Sequence, residues 1–188
     1  MDIGVLALQG DFAEHCHMLE KLGATCHELR QRHDLEKNIA GLVLPGGESS
    51  VQAKLLKELD MLAQLKKLVR RGLPVLATCA GIVLLAEEVA GQGKGVIGTL
   101  PVRVKRNAYG RQLGSFSIEQ EFCGLGIIEM RFIRAPYIEW ARDDVSVLAT
   151  YKNKIVAVRY ENQFAMSFHP ELTGDMRVHE MFLRFLGK

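Results

Sequence analysis

Cysteine is scarce in this sequence: four residues in a chain of 188, at positions 16, 26, 79 and 123, with no C-x-x-C pair among them. Such a count does not make a disulfide scaffold, and it suits a reducing compartment. An excess of either charge is also absent. The 24 basic side chains meet 22 acidic ones, leaving a net charge of +2 with no basic tail or stripe, so nucleic-acid binding has no electrostatic footing. Long apolar runs are missing. Gly41 to Leu44 and Leu73 to Thr78 are strand-length, far short of the roughly 20 residues that cross a bilayer. The opening Met1-Asp2-Ile3-Gly4 has no basic flank leading into a long apolar stretch, so no signal peptide is expected. There are no repeats and no low-complexity segments. These absences together predict a soluble cytoplasmic protein.

What is present suffices for a core. Hydrophobic residues make up 48% of the chain and charged ones 24%, which fits a single domain over 1–188. Ile3 to Leu8 is a continuous apolar run, the pattern of a strand buried on both faces of a parallel sheet. Asp11 is a candidate N-cap for a helix carrying Phe12, Cys16, Leu19 and Leu22, closed by Gly23. Strands near Thr25 to Leu29 and Gly41 to Leu44 follow. Two helices come next, with Val51, Leu55, Leu56 and Leu59 on the first and Leu62, Leu65, Leu68 and Val69 on the second. Pro74 to Thr78 is another short strand, and Ile82 to Val89 reads as the helix after it. This alternation predicts an α/β fold with a doubly wound, mostly parallel central sheet and helices on both faces. Beyond a flexible connection at Gly91 to Gly95 the texture changes. Leu100 to Lys105, Ser115 to Glu121, Ile127 to Ile133, Val145 to Tyr151, Lys154 to Arg159 and Gln163 to Phe168 are strand candidates, so the C-terminal half adds an antiparallel region. Tyr151 to Lys154 reads as a hairpin turn. Val178, Met181, Phe182 and Phe185 mark a last amphipathic helix.

Open α/β sheets bind ligands outside the carboxyl ends of their strands. Three unusual loops fall at such ends: Gly46-Gly47-Glu48, Cys79-Ala80-Gly81 and His169-Pro170-Glu171. A nucleophile on a sharp strand-to-helix turn needs small neighbours, and Ala77 and Gly81 flank Cys79 at two residues on either side. The helix that follows favours a thiolate over a thiol through its dipole. His169 would project from the end of its strand, and Glu171 could orient the imidazole, which gives a cysteine, a base and an orienting carboxylate. The backbone N–H groups of Gly47 and Ala80 are candidates for an oxyanion hole. Other features are weaker. His15, Cys16 and His17 look like metal ligands but face different ways on a helix, so they read as ordinary helix residues. The glycines at 91, 93 and 95 do not form a dinucleotide fingerprint. The polar loop with Arg106 and Arg111 could bind a carboxylate or phosphate, or could simply be solvated. Trp140 and the turn from Ala141 to Asp144 match no functional pattern.

Taken together, these residues resemble the class I (triad) glutamine amidotransferase family. The resemblance rests on Gly4 to Gly10, Leu44 to Ser49, Thr78 to Gly81, Arg106 to Gln112, Phe132 to Pro136 and Ser167 to Leu172, spread in order over nearly the whole chain. The segments around Arg106 and Arg134 resemble the branch of glutaminase subunits that serves pyridoxal 5′-phosphate synthase. The resemblance implies hydrolysis of L-glutamine to glutamate and ammonia by Cys79, His169 and Glu171. It implies a glutamine site lined by Gly46, Gly47, Glu48, Arg106, Ile133 and Arg134. No cofactor and no metal are implied. The implied partner is a separate synthase subunit that receives the ammonia in a hetero-oligomer, switches on an otherwise weak glutaminase and completes its oxyanion hole; Gln9 is a candidate contact. One position departs from the family pattern: the first glycine of the elbow is Ala77, small enough for the turn provided its φ is negative. Two rival readings remain. One is a glutaminase feeding another synthase, of histidine or anthranilate synthesis. The other is a non-catalytic redox or stress protein of the same fold, which would need the cysteine but not the His169 and Glu171 pair.

Overall fold

Short segments with apolar residues on both faces pair side by side and must be covered from both sides. In the structure, a computed structural model that describes residues 1–106 and 114–187, the elements run β1 (Asp2–Leu6), α1 (Phe12–Lys21), β2 (Thr25–Leu29), β3 (Gly41–Leu44), α2 (Ser49–Glu58), α3 (Leu62–Arg70), β4 (Val75–Thr78), α4 (Ala80–Leu85), β5 (Ala86–Val89), β6 (Gly93–Lys94), β7 (Leu100–Lys105), β8 (Ser115–Phe122), β9 (Gly126–Ile133), β10 (Tyr137–Ala141), β11 (Ser146–Tyr151), β12 (Lys154–Tyr160), β13 (Gln163–Met166) and α5 (Arg177–Leu186). Strands β2-β1-β3-β4-β13 form a contiguous parallel block, and the sheet continues through β12, β10, β7, β5 and β6, with β11 beside β12. Beyond β13 the pairing is antiparallel except between β5 and β7. The doubly wound sheet and its antiparallel addition are therefore both present.

Alternation along the strands sorts the core into two layers. Leu42, Leu44, Val75 and Ala77 face α2, α3 and α4, where they meet Leu56, Leu65, Val69 and Ile82. Ile3, Val5, Val43 and Leu76 face the other way, toward Cys16 and Leu19 of α1 and Val178 and Phe182 of α5. The β8-β9 hairpin packs on that second layer, stacking Phe116 on Phe132 and setting Phe132 edge-on to Phe168. The two faces share one sheet.

Three local expectations need correction. Ile82 to Val89 is not one helix: α4 stops at Leu85, and Ala86–Val89 is a strand pairing β6 and β7. Glu87 and Glu88 favour helix locally, but the ladder with β7 overrides that preference. The connection at Gly91 to Gly95 carries β6. Strand β13 ends at Met166, two residues before Phe168. The hairpin at Tyr151 to Lys154 is as expected, with Lys152 and Asn153 both at positive φ, as a tight primed turn requires.

Candidate active site

The parallel pairing of β4 with β13 decides which loops meet. Thr78 is in register with Met166, so Cys79 and the segment from Ser167 to His169 leave neighbouring strand ends. The Cys79 N–H donates to the Met166 carbonyl at 2.8 Å, and the His169 N–H to the Arg131 carbonyl at 2.8 Å. Cys79 itself sits at φ +44° and ψ −99°, a strained conformation at the start of α4. Gly81 makes that turn possible. A Cβ there would lie 2.2 Å from the Leu44 carbonyl oxygen, so any side chain would push α4 off the end of β3. Ala77 lies within β4 and is not among the residues at positive φ, so alanine is unstrained in place of the family's glycine.

His169 and Glu171 meet closely. Nδ1 of His169 is 2.7 Å from Glu171 Oε1 and 3.2 Å from Asp11 Oδ2. Pro170–Leu172 is a 3-10 turn, which brings Glu171 back to the ring. Burial works against a charged imidazole here. The neighbouring Asp11, Cys79 and Glu171 side chains, Asp11 foremost, prevail and push His169 up to about 12. Burial raises Glu171 too, against the pull of His169. The other imidazole nitrogen, Nε2, is buried and has no hydrogen-bond partner among the described residues. The Cys79 thiol points at the Ile133 carbonyl, 3.8 Å away.

A cavity of about 450 Å³ opens over these groups. Of the expected site residues, Gly47, Glu48, Cys79, Ala80, Arg106, Ile133, Arg134 and His169 line it. Gly46 and Glu171 do not; both lie behind the His169 ring. Gly46 passes so close that a Cβ would sit 2.3 Å from His169 Cε1. Gly47, at φ +142°, is bounded by Gln9, whose Oε1 accepts from the Glu48 N–H at 2.6 Å. Glu48 and Arg106 form an ion pair at 2.6 Å. The Ser50 hydroxyl foremost, against partial burial and with help from the Ser50 N–H and Arg106, holds Glu48 below the usual carboxylate range. The cavity thus presents an anion and a cation side by side. Arg111, with the rest of Asn107 to Gln112, lies outside the described residues.

Residues that sequence reasoning missed lie on both sides of the imidazole. Asp11 stands at the N-cap of α1 but makes no capping bond with its side chain, which turns to His169 instead. His15 is fully buried and faces Glu171. Ser115, Val83 and Pro136 also line the cavity. Only Asp11 carried a usable signal, its place two residues after Gln9 at the end of the first strand. Asp11, His169 and Glu171 each offer a metal-ligating atom, all within 4.8 Å of one another, but the His169 and Glu171 atoms are already hydrogen-bonded together. Cys16 is buried, Cys26 half-buried and Cys123 exposed, and all four thiols are free.

The model of the SNO glutamine amidotransferase family matches residues 5–188. The chain belongs to this family. It is 58% identical to the pyridoxal 5′-phosphate synthase subunit PdxT of Desulfitobacterium hafniense, over 97% of this chain and 92% of that one. Identity to the protein of the same name from Streptococcus pneumoniae is 48%, over 97% and 96%. A crystal structure of a glutamine amidotransferase superposes with a TM-score of 0.92 at 42% identity, covering 99% of both chains. A strained cysteine, a buried histidine–carboxylate pair and a charged rim converge at the cavity of this family member. Among the described residues no helix is long and apolar enough to cross a membrane.

Proposed function

We propose that this glutamine amidotransferase hydrolyses L-glutamine to L-glutamate and ammonia as the glutaminase subunit of a pyridoxal 5′-phosphate synthase, with residues 1–188 acting as one domain. The observation that carries the reading is the convergence of Cys79, held at φ +44°, with the His169–Glu171 pair at 2.7 Å on the adjacent strand end. In the reaction, the Cys79 sulfur attacks the side-chain amide carbon as the thiolate of a thiolate–imidazolium pair, the proton it gave up being held on His169 Nε2. Charge collects on the amide oxygen, where the N–H groups of Gly47 and Ala80 are the candidate donors. The imidazolium returns its proton to the leaving nitrogen, and ammonia departs from a thioester. Water then attacks that thioester with His169 as base, releasing glutamate and restoring the thiol. Glu171 sets the tautomer throughout by accepting a hydrogen bond from Nδ1–H at Oε1. At the rim, Glu48 suits the substrate ammonium, and Arg106 or Arg134 suits its carboxylate.

The synthase subunit is the partner in this reading, switching on the glutaminase by completing its oxyanion hole. The relatives at 58% and 48% identity carry the pyridoxal 5′-phosphate synthase name, which favours this partner over the histidine or anthranilate synthases. A redox sensor would have no use for the His169–Glu171 pair. The free thiols suit a reducing compartment, so the reading extends to a cytoplasmic protein. The test measures glutamate release by wild type and Cys79→Ala, with and without the synthase subunit. Wild type should respond strongly to the partner, while Cys79→Ala still associates but stays at background. Activity surviving in Cys79→Ala would remove the site assignment, and turnover by wild type indifferent to the synthase would remove the partner.

A further inference from the structure

Behind the triad lies a second row of buried imidazoles that the reaction above does not use. His15, on α1, is fully buried. Its Nε2 lies 3.3 Å from Glu171 Oε2 and 3.1 Å from Thr78 Oγ1, and its Nδ1 lies 3.0 Å from His179 Nε2 on α5. Glu171 therefore has an imidazole on each side, with Oε1 toward His169 and Oε2 toward His15. Oε2 accepts no standard hydrogen bond among the described residues, so the ring facing it matters. A buried carboxylate oxygen without a donor is costly and leaves the group free to rotate.

The proton positions follow from charge. Burial, then the neighbouring His179 and His169, hold His15 well below its ordinary range, and burial takes His179 down to about 4, so both rings are neutral. A neutral His15 has one N–H. With that proton on Nδ1, the bare Nε2 lone pair would face the Glu171 carboxylate in a site of low dielectric, which is repulsive. With the proton on Nε2, the N–H donates to Thr78 Oγ1 at 3.1 Å while its positive edge faces Glu171 Oε2 at 3.3 Å, and Nδ1 accepts from His179 Nε2–H at 3.0 Å. We propose that His15 is a positioning residue for glutamine hydrolysis: its Nε2–H holds Glu171 Oε2, leaving Oε1 for His169 Nδ1, and His179 fixes the required tautomer of His15. This rests on the reading of Cys79, His169 and Glu171 as a glutaminase triad.

Substitution at position 15 separates positioning from packing. A glutamine amide reaches the place of Nε2 and can donate to Oε2, whereas leucine fills the space without a donor. In the complex with the synthase subunit, His15→Leu should lower kcat for glutamate release by about 10–100-fold, the scale seen when the outer partner of an oriented histidine is lost. KM for glutamine should stay within about twofold, because His15 does not line the substrate cavity. His15→Gln should recover most of the lost kcat. An unchanged kcat in His15→Leu overturns the proposal, and so does equal loss in both variants, which would assign packing alone. Should the variants not fold, nitrogen NMR of histidine-labelled wild type decides the matter: Nε2–H on His15 supports the proposal, and Nδ1–H or an imidazolium overturns it. Cys79→Ala run alongside keeps the two readings apart. An active wild type and a dead Cys79→Ala with normal His15→Leu sinks the positioning role only, whereas a wild type that releases no glutamate sinks the glutaminase reading itself.

Discussion

Glu171 is nearly excluded from solvent, and its Oε1 lies 2.7 Å from His169 Nδ1. Replacing it by glutamine keeps the volume and removes the acceptor charge. Glu171→Gln should therefore lower kcat by about 10²–10⁴-fold, the contribution of the general base it orients, with KM little changed. Asp11 reaches the same nitrogen at 3.2 Å from the cavity side, so Asp11→Asn combined with Glu171→Gln should lose more activity than Glu171→Gln alone. Steady-state glutamate release on the single and double variants checks both statements. The pKa of His169 also has a stability consequence. Its folded value, about 12, lies above the ordinary 6.5, so its stabilising contribution is complete below pH 6.5 and drains away as pH rises from there toward 12. The gap in urea midpoint between wild type and His169→Asn should accordingly be widest near pH 6 and narrow toward pH 9; a gap that widens with pH would reverse the sign. At this scale the sequence was informative where chemistry and position coincide. Cys79, His169 and Glu171 announce themselves through small neighbours and strand ends. Asp11 and His15 do not, because a helix N-cap aspartate and a helix-interior histidine look the same whether they face solvent, core or a second imidazole 164 positions away.

Elements matter here chiefly at their ends. The elbow between β4 and α4 depends on the approach of Gly81 to the Leu44 carbonyl, and a methyl group at 2.2 Å cannot be absorbed by backbone on either side. Gly81→Ala should destabilise by about 1–3 kcal/mol through overpacking and should abolish most glutaminase activity in whatever fraction folds. Ala77 offers the opposite case. It occupies a strand at ordinary φ, so restoring the family's glycine with Ala77→Gly should cost about 0.5–1 kcal/mol and bring no gain in kcat. Thermal melts and glutamate release on the two variants test the pair. Element type was legible wherever period and punctuation agreed, as at Phe12–Lys21, closed by Gly23, or at the Lys152-Asn153 hairpin. It was not legible at Ala86–Val89. Helix formers follow a true helix there without a breaker, and only the pairing with β7, a segment that begins at Leu100, turns them into a strand. The same distance effect hides β10, Tyr137–Ala141, which is not among the strand candidates and is fixed by its pairing with β7 and β12.

The whole molecule is organised so that one sheet serves two cores and one rim. Cys79 and His169 meet because β13, late in the chain, slots beside β4 in parallel register. That insertion also buries Ala165 in the layer with α2 and α3, and Met166 in the layer with α1 and α5. Strand order of this kind is not written in periodicity: the succession of elements predicted a parallel block followed by an antiparallel one, but which strand completes the block is settled by long-range packing alone. A shared sheet has a consequence for unfolding. If residues 1–188 are one domain, neither layer can melt while the other persists, since each covers the same strands. Leu65 on α3 is fully buried in the first layer and does not line the cavity, so Leu65→Ala should cost about 2–5 kcal/mol while leaving kcat of the folded protein within about threefold of wild type. Urea unfolding followed by far-ultraviolet circular dichroism and by the emission of Trp140 should then give coincident transitions, displaced together to lower denaturant by the substitution. Two separated transitions, with only the dichroism responding to Leu65→Ala, would mean that the antiparallel half carrying Trp140 folds as a unit of its own, and that Cys79 and His169 are held in register by docking rather than by one continuous sheet.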